Sequence, residues 1–428
     1  MSDLAEDDNP ASKKDSRGRV RKFFAGLGPG LITGAADDDP SGISTYSTAG
    51  AAFGYLPLWM APFAFPLMAA VQLMCARLGL VTGRGLAGVV RLNYPRWVLW
   101  GACALLIVAN VFNIGADLGG MAEATEMMIG IKSYYLTPVF TVIIVCLLFF
   151  STYRQIARVF KWLTLVLFAY VITAFLASPD WIAVLKATFV PHVVWSSAFP
   201  ATFVGILGTT ISPYLFFWQA SQEVEDERAQ GRSTVEEREG ATDEELRIAR
   251  TDVFTGMFFS NLVMYFIILT TAATLHAHGQ TNIETAQQAA EALRPLAGRE
   301  AYLLFTLGLI GTGMLAVPVL ADSAAYAVAE AETWQHDSLR LAPRFYAGVE
   351  VAILLGLCLD FVGFNAVKML FYSAVLNGVL APPLVVLVGL LTGNPKIMGT
   401  RASSRPLHYL GDYDACRRRK VCDNVKNW

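Results

Sequence analysis

The chain has 428 residues, of which 54% are hydrophobic and 16% charged, and its mean hydropathy is +0.46. That balance suits a bilayer and excludes an ordinary soluble globular domain. The formal net charge of −2 points to no class of partner, and no nucleic-acid partner is expected.

Residues 1–26 are polar and lack an apolar targeting core, so they read as a cytoplasmic tail without a cleavable signal peptide. A transmembrane domain follows over 27–391. Allowing roughly 17–25 residues per crossing, ten spans are expected near 27–53, 56–82, 97–125, 135–151, 157–177, 200–221, 253–275, 301–328, 345–363 and 365–391. Basic residues set the orientation when they sit in short loops. They gather before span one (Lys13 to Lys22), between two and three (Arg84, Arg91, Arg96), around four to five (Arg154, Arg158, Lys161), between six and seven, and between eight and nine (Arg340, Arg344). Both termini are therefore expected in the cytoplasm, in a cell membrane and most simply a bacterial inner membrane. The polar stretch 223–252 reads as a solvated cytoplasmic loop with a helical second half. The stretch 179–199 reads as an interfacial aromatic loop, 281–299 as a short amphipathic outer helix, and 392–428 as a basic cytoplasmic tail in place of an eleventh span. Cys75, Cys103, Cys146 and Cys358 lie in apolar stretches and read as buried free thiols; Cys416 and Cys422 are spaced too loosely for zinc.

Span one carries the first chemical signal. It reads PGLITGAADDDPSGISTYSTAGAAFGY, with Asp37, Asp38, Asp39, Pro40 and Gly42 in its middle. A carboxylate at the bilayer centre costs a few kcal/mol, about 3 on insertion scales, so these aspartates should face a cavity or an ion path. Broken backbone at that depth is tolerated only where protein or a water-filled site receives its polar groups. Span six repeats the pattern with Thr209, Thr210, Ser212 and Pro213 in ILGTTISPYLF. Two broken helices five spans apart predict an all-α polytopic protein with a 5+5 inverted repeat of the LeuT type, helices 1 and 6 being broken at the midplane around the site.

At these residues the chain resembles the NRAMP (natural resistance-associated macrophage protein) family of divalent metal transporters, as a divergent member. PGLITGAADDDPSG is similar to the family's first helix with its Asp-Pro-Gly-Asn hallmark, and ILGTTISPYLF to the sixth-helix segment carrying Ala-x-x-Met-Pro-His. LRIARTDVFTGM is similar to the passage into helix seven, and the likeness runs from about residue 20 to 395. The resemblance implies that Asp39 is the metal-binding carboxylate and that Thr209 offers a backbone carbonyl to the ion. It also places Gly42 where the family has Asn, Ser212 where it has Met, and Tyr214 where it has His. In span three NIGADLGG resembles the family's proton-path segment, keeping Asp117 but with Gly120 where a glutamate is expected, and Arg344 resembles its basic partner.

Read from the residues alone, Asp39 with the hydroxyls of Ser41, Thr209, Thr210, Ser212 and Tyr214 makes a small polar pocket with one dependable charge. Three adjacent aspartates cannot all face one point on a helix, so Asp39 is expected to point inward while Asp37 or Asp38 holds a proton. Mg²⁺ keeps waters and needs few carboxylates, so it fits such a pocket, whereas a dry Mn²⁺ or Fe²⁺ site is under-liganded; the resemblance adds that Ser212 in place of a thioether implies hard cations such as Mg²⁺ or Mn²⁺ over soft metals. A urea- or guanidine-like solute moved with protons is the alternative, the metal site having been lost; an ion channel or transporter-like receptor is a third reading. Asn377 in span ten would complete the site, or else serve as a helix–helix hydrogen bond. The expected function is proton-coupled import of a divalent cation, with protons and lipid as the other partners. Asp37, Asp38, Asp117 and Arg344 would form the proton path. No cofactor is expected, and no enzyme, since no nucleophile–base pair or phosphate loop appears.

Overall fold

The structure is a computed structural model that describes residues 28–150, 165–194, 196, 198–333, 343–360 and 365–402. Among the described residues all regular structure is helical.

The first expected span is two helices, α1 (Pro29–Asp37) and α2 (Pro40–Phe53). Pro40 accounts for the break, because a proline ring crowds the preceding residue out of the α region, and Asp39 is extended at φ −67°, ψ 170°. A proline at the first helical position needs no N–H, so α2 restarts at once. The Asp39 side chain caps it, accepting from the Gly42 N–H at 2.7 Å.

The chain then forms α3 (Met60–Thr82), the short α4 (Leu86–Asn93), α5 (Arg96–Ile129) and α6 (Ser133–Phe150). After residues 151–164, which lie outside the described ones, come α7 (Phe168–Leu176) and α8 (Trp181–Phe189). The stretch expected as an aromatic loop is thus helical in part, started by Asp180, whose carboxylate accepts from the Ile182 and Ala183 N–H groups. The sixth span breaks as the first does: α9 (Ala198–Thr210) stops, Ser212 is extended at φ −74°, ψ 130°, and α10 (Pro213–Ala229) begins on its proline. Then follow α11 (Val235–Arg238), α12 (Asp243–Thr274), α13 (Ala286–Ala290), α14 (Ala301–Ala331), α15 (Pro343–Asp360) and α16 (Ala366–Thr392).

Seven of the described helical runs are long and apolar enough to cross a membrane. Span one is absent from that set because its break splits it, and spans five and nine because they run into residues 151–164 and 361–364, outside the described ones. In the packing, α5 runs against α14, α15 and α16, while α1 and α2 lie along α12. Of the broken sixth span, α9 packs on α16 and α10 on α3 and α14. The α1–α12 contact is backbone to backbone. A Cβ on Gly30 or Gly34 would fall inside van der Waals range of the main chain at Val253 or Gly256.

Two further sequence expectations are corrected in part. The stretch 223–252 has the helical second half expected of it, as the start of α12, but its first part is helical too, as the end of α10, leaving 230–242 as the connector. That connector is fastened by Arg238, which donates to the carbonyls of Gly83, Arg232 and Ser233. Arg232 further bridges Glu227 on α10 and Glu245 on α12. Within the same stretch Asp252 is 2% exposed and caps the start of α1 from across the fold, accepting from the N–H groups of Gly28 at 2.9 Å and Gly30 at 2.6 Å. Finally, Cys75 and Cys103 are buried, but Cys146 and Cys358 lie on the outer face of the bundle. Cys416 and Cys422 lie outside the described residues.

Candidate functional site

The two breaks meet. Tyr214, at the start of α10, donates its hydroxyl to the Ala36 carbonyl in the last turn of α1 at 2.9 Å. On the other side Thr209, ending α9, donates to the Tyr46 hydroxyl of α2 at 2.9 Å. A carbonyl freed at the end of α1 is thus met by a side chain from the other broken span rather than by lipid.

Asp39 sits at this crossing, 2% exposed. Its Oδ1 accepts from the Ser41 hydroxyl at 2.6 Å and the Gly42 N–H at 2.7 Å, and its Oδ2 accepts from Asn113 Nδ2 at 2.8 Å. Gly42 therefore acts through its backbone. Asp37 and Asp38 turn the other way, toward α12, where the Ser260 hydroxyl reaches Asp37 Oδ2 at 2.6 Å and Asp38 Oδ1 at 3.3 Å. Asp39 thus points apart from its two neighbours, as three adjacent residues on one backbone must.

Most of the expected hydroxyl pocket does not face Asp39. Ser212 donates to the carbonyls of Gly208 and Thr209, at 2.8 and 2.9 Å, and Thr210 to that of Ile206 at 3.0 Å. These hydroxyls close the last turn of α9 in the way Ser and Thr commonly bond back along a helix. Tyr214 is a strut between the halves, and Ser41 is the one expected hydroxyl bonded to Asp39. Asn377 is buried on α16 with its Nδ2 unpartnered, and no hydrogen bond joins it to Asp39. Arg344 is exposed at the start of α15, and no hydrogen bond joins it to the buried Asp117.

Asn113 is the neighbour that sequence reasoning missed. It belongs to a polar stripe on α5, Asn110, Asn113 and Asp117, spaced i, i+3 and i+7 along one helix face. Asn110 anchors the stripe to α14, donating to the Leu320 carbonyl and the Ser323 hydroxyl at 2.7 Å each. Asp117 is fully buried, within electrostatic reach of Asp39. Three amide and carboxylate residues at helical spacing in an apolar span were a legible signal, overshadowed by the single aspartate.

The polar inventory is lopsided. Asn113 Oδ1, both carboxylate oxygens of Asp117 and Asp37 Oδ1 are buried acceptors without a donor. None of Asp37, Asp38, Asp39 and Asp117 has an ion-pair partner among the described residues, and the one buried basic side chain, Arg238, belongs to the connector. Surplus acceptor oxygens in a buried place are costly unless something positive joins them. A cation or protons would satisfy them; an anion would not. Among the described residues no three His, Cys, Asp or Glu side chains come together as a closed metal cage. An ion here would therefore take amide and backbone oxygens and keep water, as hard cations do.

Paired broken helices around a buried carboxylate, in an all-helical membrane bundle, define a LeuT-like polytopic transport protein rather than an enzyme. The chain belongs to the Nramp family: the profile described as "Natural resistance-associated macrophage protein-like" matches residues 30–412. It is 30% identical over 397 residues to the divalent metal cation transporter MntH of Erwinia tasmaniensis, covering 91% of this chain and 90% of that one. MntH of Yersinia pestis is likewise 30% identical over 409 residues, covering 92% and 93%. Among solved structures, a mutant of the Eremococcus coleocola manganese transporter superposes with a TM-score of 0.71 at 19% identity, over 96% of this chain and 85% of that one. The nucleobase-cation-symport-1 family transporter Mhp1 superposes with a TM-score of 0.54 at 17% identity, over 85% and 77%. At those identities the likeness is one of fold.

Proposed function

We propose that this chain imports a divalent metal cation across a cell membrane, binding it at Asp39 where the two broken helices cross. The observation that carries the reading is the buried surplus of acceptor oxygens around Asp39, with no cationic side chain among the described residues to balance it. Relatives named for divalent metal cation transport support a cation over a urea- or guanidine-like solute.

In this reading Asp39 supplies the charge and Asn113 turns Oδ1 toward the ion while its Nδ2 holds the carboxylate. The Thr209 carbonyl and retained water complete the shell, with Asn377 nearby on α16. Ser212 presents oxygen where a thioether would favour softer ions, so Mg²⁺ and Mn²⁺ are preferred over Cd²⁺. Import is coupled to protons carried by Asp117 with Asp37 or Asp38 and passed on toward Arg344, and both termini lie in the cytoplasm.

A thermal-shift screen of the purified protein against Mg²⁺, Mn²⁺, Cd²⁺, urea and guanidinium tests the substrate class. A transition raised by Mg²⁺ or Mn²⁺ and lost in Asp39→Asn supports the reading. Stabilisation by urea or guanidinium alone would replace it with the organic-solute reading.

A further inference from the structure

A cavity lined by charged residues lies on the cytoplasmic side, between α4, α10, α11 and the inner end of α14, with a volume of about 600 Å³. Its wall includes Ser221, nine residues beyond Ser212 on α10, so at 1.5 Å per residue it sits about 13 Å below the crossing of the breaks. Four arginines line it, Arg84, Arg91, Arg228 and Arg238, against two carboxylates, Glu225 and Glu330.

Both carboxylates are already engaged. Glu330 accepts from the Ser221 hydroxyl at 2.8 Å and the Gly88 N–H at 3.0 Å, and Glu225 accepts from Arg228 Nη1 at 2.9 Å. Of the arginines, Arg238 is spent on the connector carbonyls and Arg228 pairs with Glu225 through Nη1, which leaves donors over on the other two and on Arg228 Nε. The side chains of Arg84 and Arg91 have no hydrogen-bond or ion-pair partner among the described residues, and the Nε–H groups of Arg91 and Arg228 are buried without an acceptor. A buried donor left unmade costs about 1–3 kcal/mol, more when charged. The site at Asp39 has acceptors in excess; this cavity has donors in excess, so it suits the opposite charge and is no extension of the cation site.

We propose that this cavity binds a phosphate group. The guanidinium fork matches tetrahedral oxyanions through paired N–H donors, and the volume lies in the range of small-ligand pockets. A phosphate here would accept from Arg84, Arg91 and Arg228 Nε, and would tie α10, the inner half of the broken sixth span, to α4 and α14. The phosphate is either free in the cytoplasm or the headgroup of an anionic lipid, since basic pockets between helices on that side hold such headgroups.

The test uses the full chain. Its thermal transition is measured in sodium phosphate against sodium chloride at matched ionic strength, and in vesicles of phosphatidylglycerol against phosphatidylcholine. Arg84→Gln/Arg91→Gln removes two unpartnered guanidiniums and Arg228→Lys keeps charge without the fork; Arg247→Gln, on an exposed pair with Glu244, is the control. A rise of about 3 °C in phosphate, lost in the double variant and kept in the control, assigns the site to free phosphate. A rise only in phosphatidylglycerol with the same loss assigns it to a lipid headgroup. Should the double variant fail to fold, Arg228→Lys decides by the same comparison. No rise with either anion, or a rise equal in wild type and variants, overturns the proposal.

Discussion

Replacing Asn113 separates a built cation site from a lone carboxylate. Asn113→Leu keeps the branched shape, in a bulkier side chain, and removes both the Nδ2 bond to Asp39 Oδ2, 2.8 Å long, and the unpartnered Oδ1. A hydrogen bond to a charged group contributes about 1.5–3 kcal/mol, so losing it with a ligand oxygen should weaken Mn²⁺ binding about 10- to 100-fold. Folding should weaken by about 1–3 kcal/mol, because the buried Oδ2 loses its donor, but the fold should persist, since Asp39 still accepts from Ser41 and Gly42 and still caps α2. Asn113→Asp restores an oxygen ligand and adds a charge, and should regain affinity for divalent ions over monovalent ones. Isothermal titration calorimetry of Mn²⁺ into the purified variants reads this directly. Binding by Asn113→Leu within twofold of wild type would show that the α5 stripe takes no part in the site.

The other outcomes probe the break, the cytoplasmic closure and the protons. Ser212→Met with Gly42→Asn should shift preference toward Cd²⁺ in proteoliposome uptake; a Cβ at Gly42 meets Tyr46 Cε2 at 3.3 Å, so the ring must yield slightly. Unchanged selectivity would refute the argument from ligand softness. Asp252→Ala uncaps α1 at Gly28 and Gly30 and should cost about 2 kcal/mol, seen as a lower thermal transition and faster amide exchange over residues 28–33; exchange unchanged there would refute the cap. Tyr214→Phe strands the Ala36 carbonyl and should cost about 1–3 kcal/mol, with an unshifted transition counting against the strut. Asp117→Asn should weaken substrate-driven acidification of the vesicle lumen more than substrate binding, and equal loss of both would remove it from the proton path.

The breaks were legible because proline acts locally. Pro40 and Pro213 each bias the preceding residue out of the helix, and both Asp39 and Ser212 are extended; Pro66, Pro318 and Pro382 sit inside unbroken helices, so it was proline joined to a polar cluster that marked the breaks. Asp39 stood out for the same reason, a charge where lipid permits none. What the sequence hid was tertiary. Whether Ser212 faces a pocket or its own helix depends on which carbonyls lie within reach, and Gly208 and Thr209 were nearer than Asp39. Asn113 became a neighbour of Asp39 only through the packing of α5 against α2. Asp252 looked solvated in a charged stretch, and its burial against the start of α1 is a contact across 222 residues of chain to Gly30.

The central claim is that a divalent cation crosses the membrane through Asp39. Mn²⁺ and Mg²⁺ uptake into proteoliposomes, by wild type and by Asp39→Asn reconstituted to equal amounts, tests it most directly. Saturable uptake by wild type, abolished in a variant that still elutes as a folded protein, is the predicted result. Uptake that survives Asp39→Asn would contradict it, as would a wild type that carries guanidinium but neither metal.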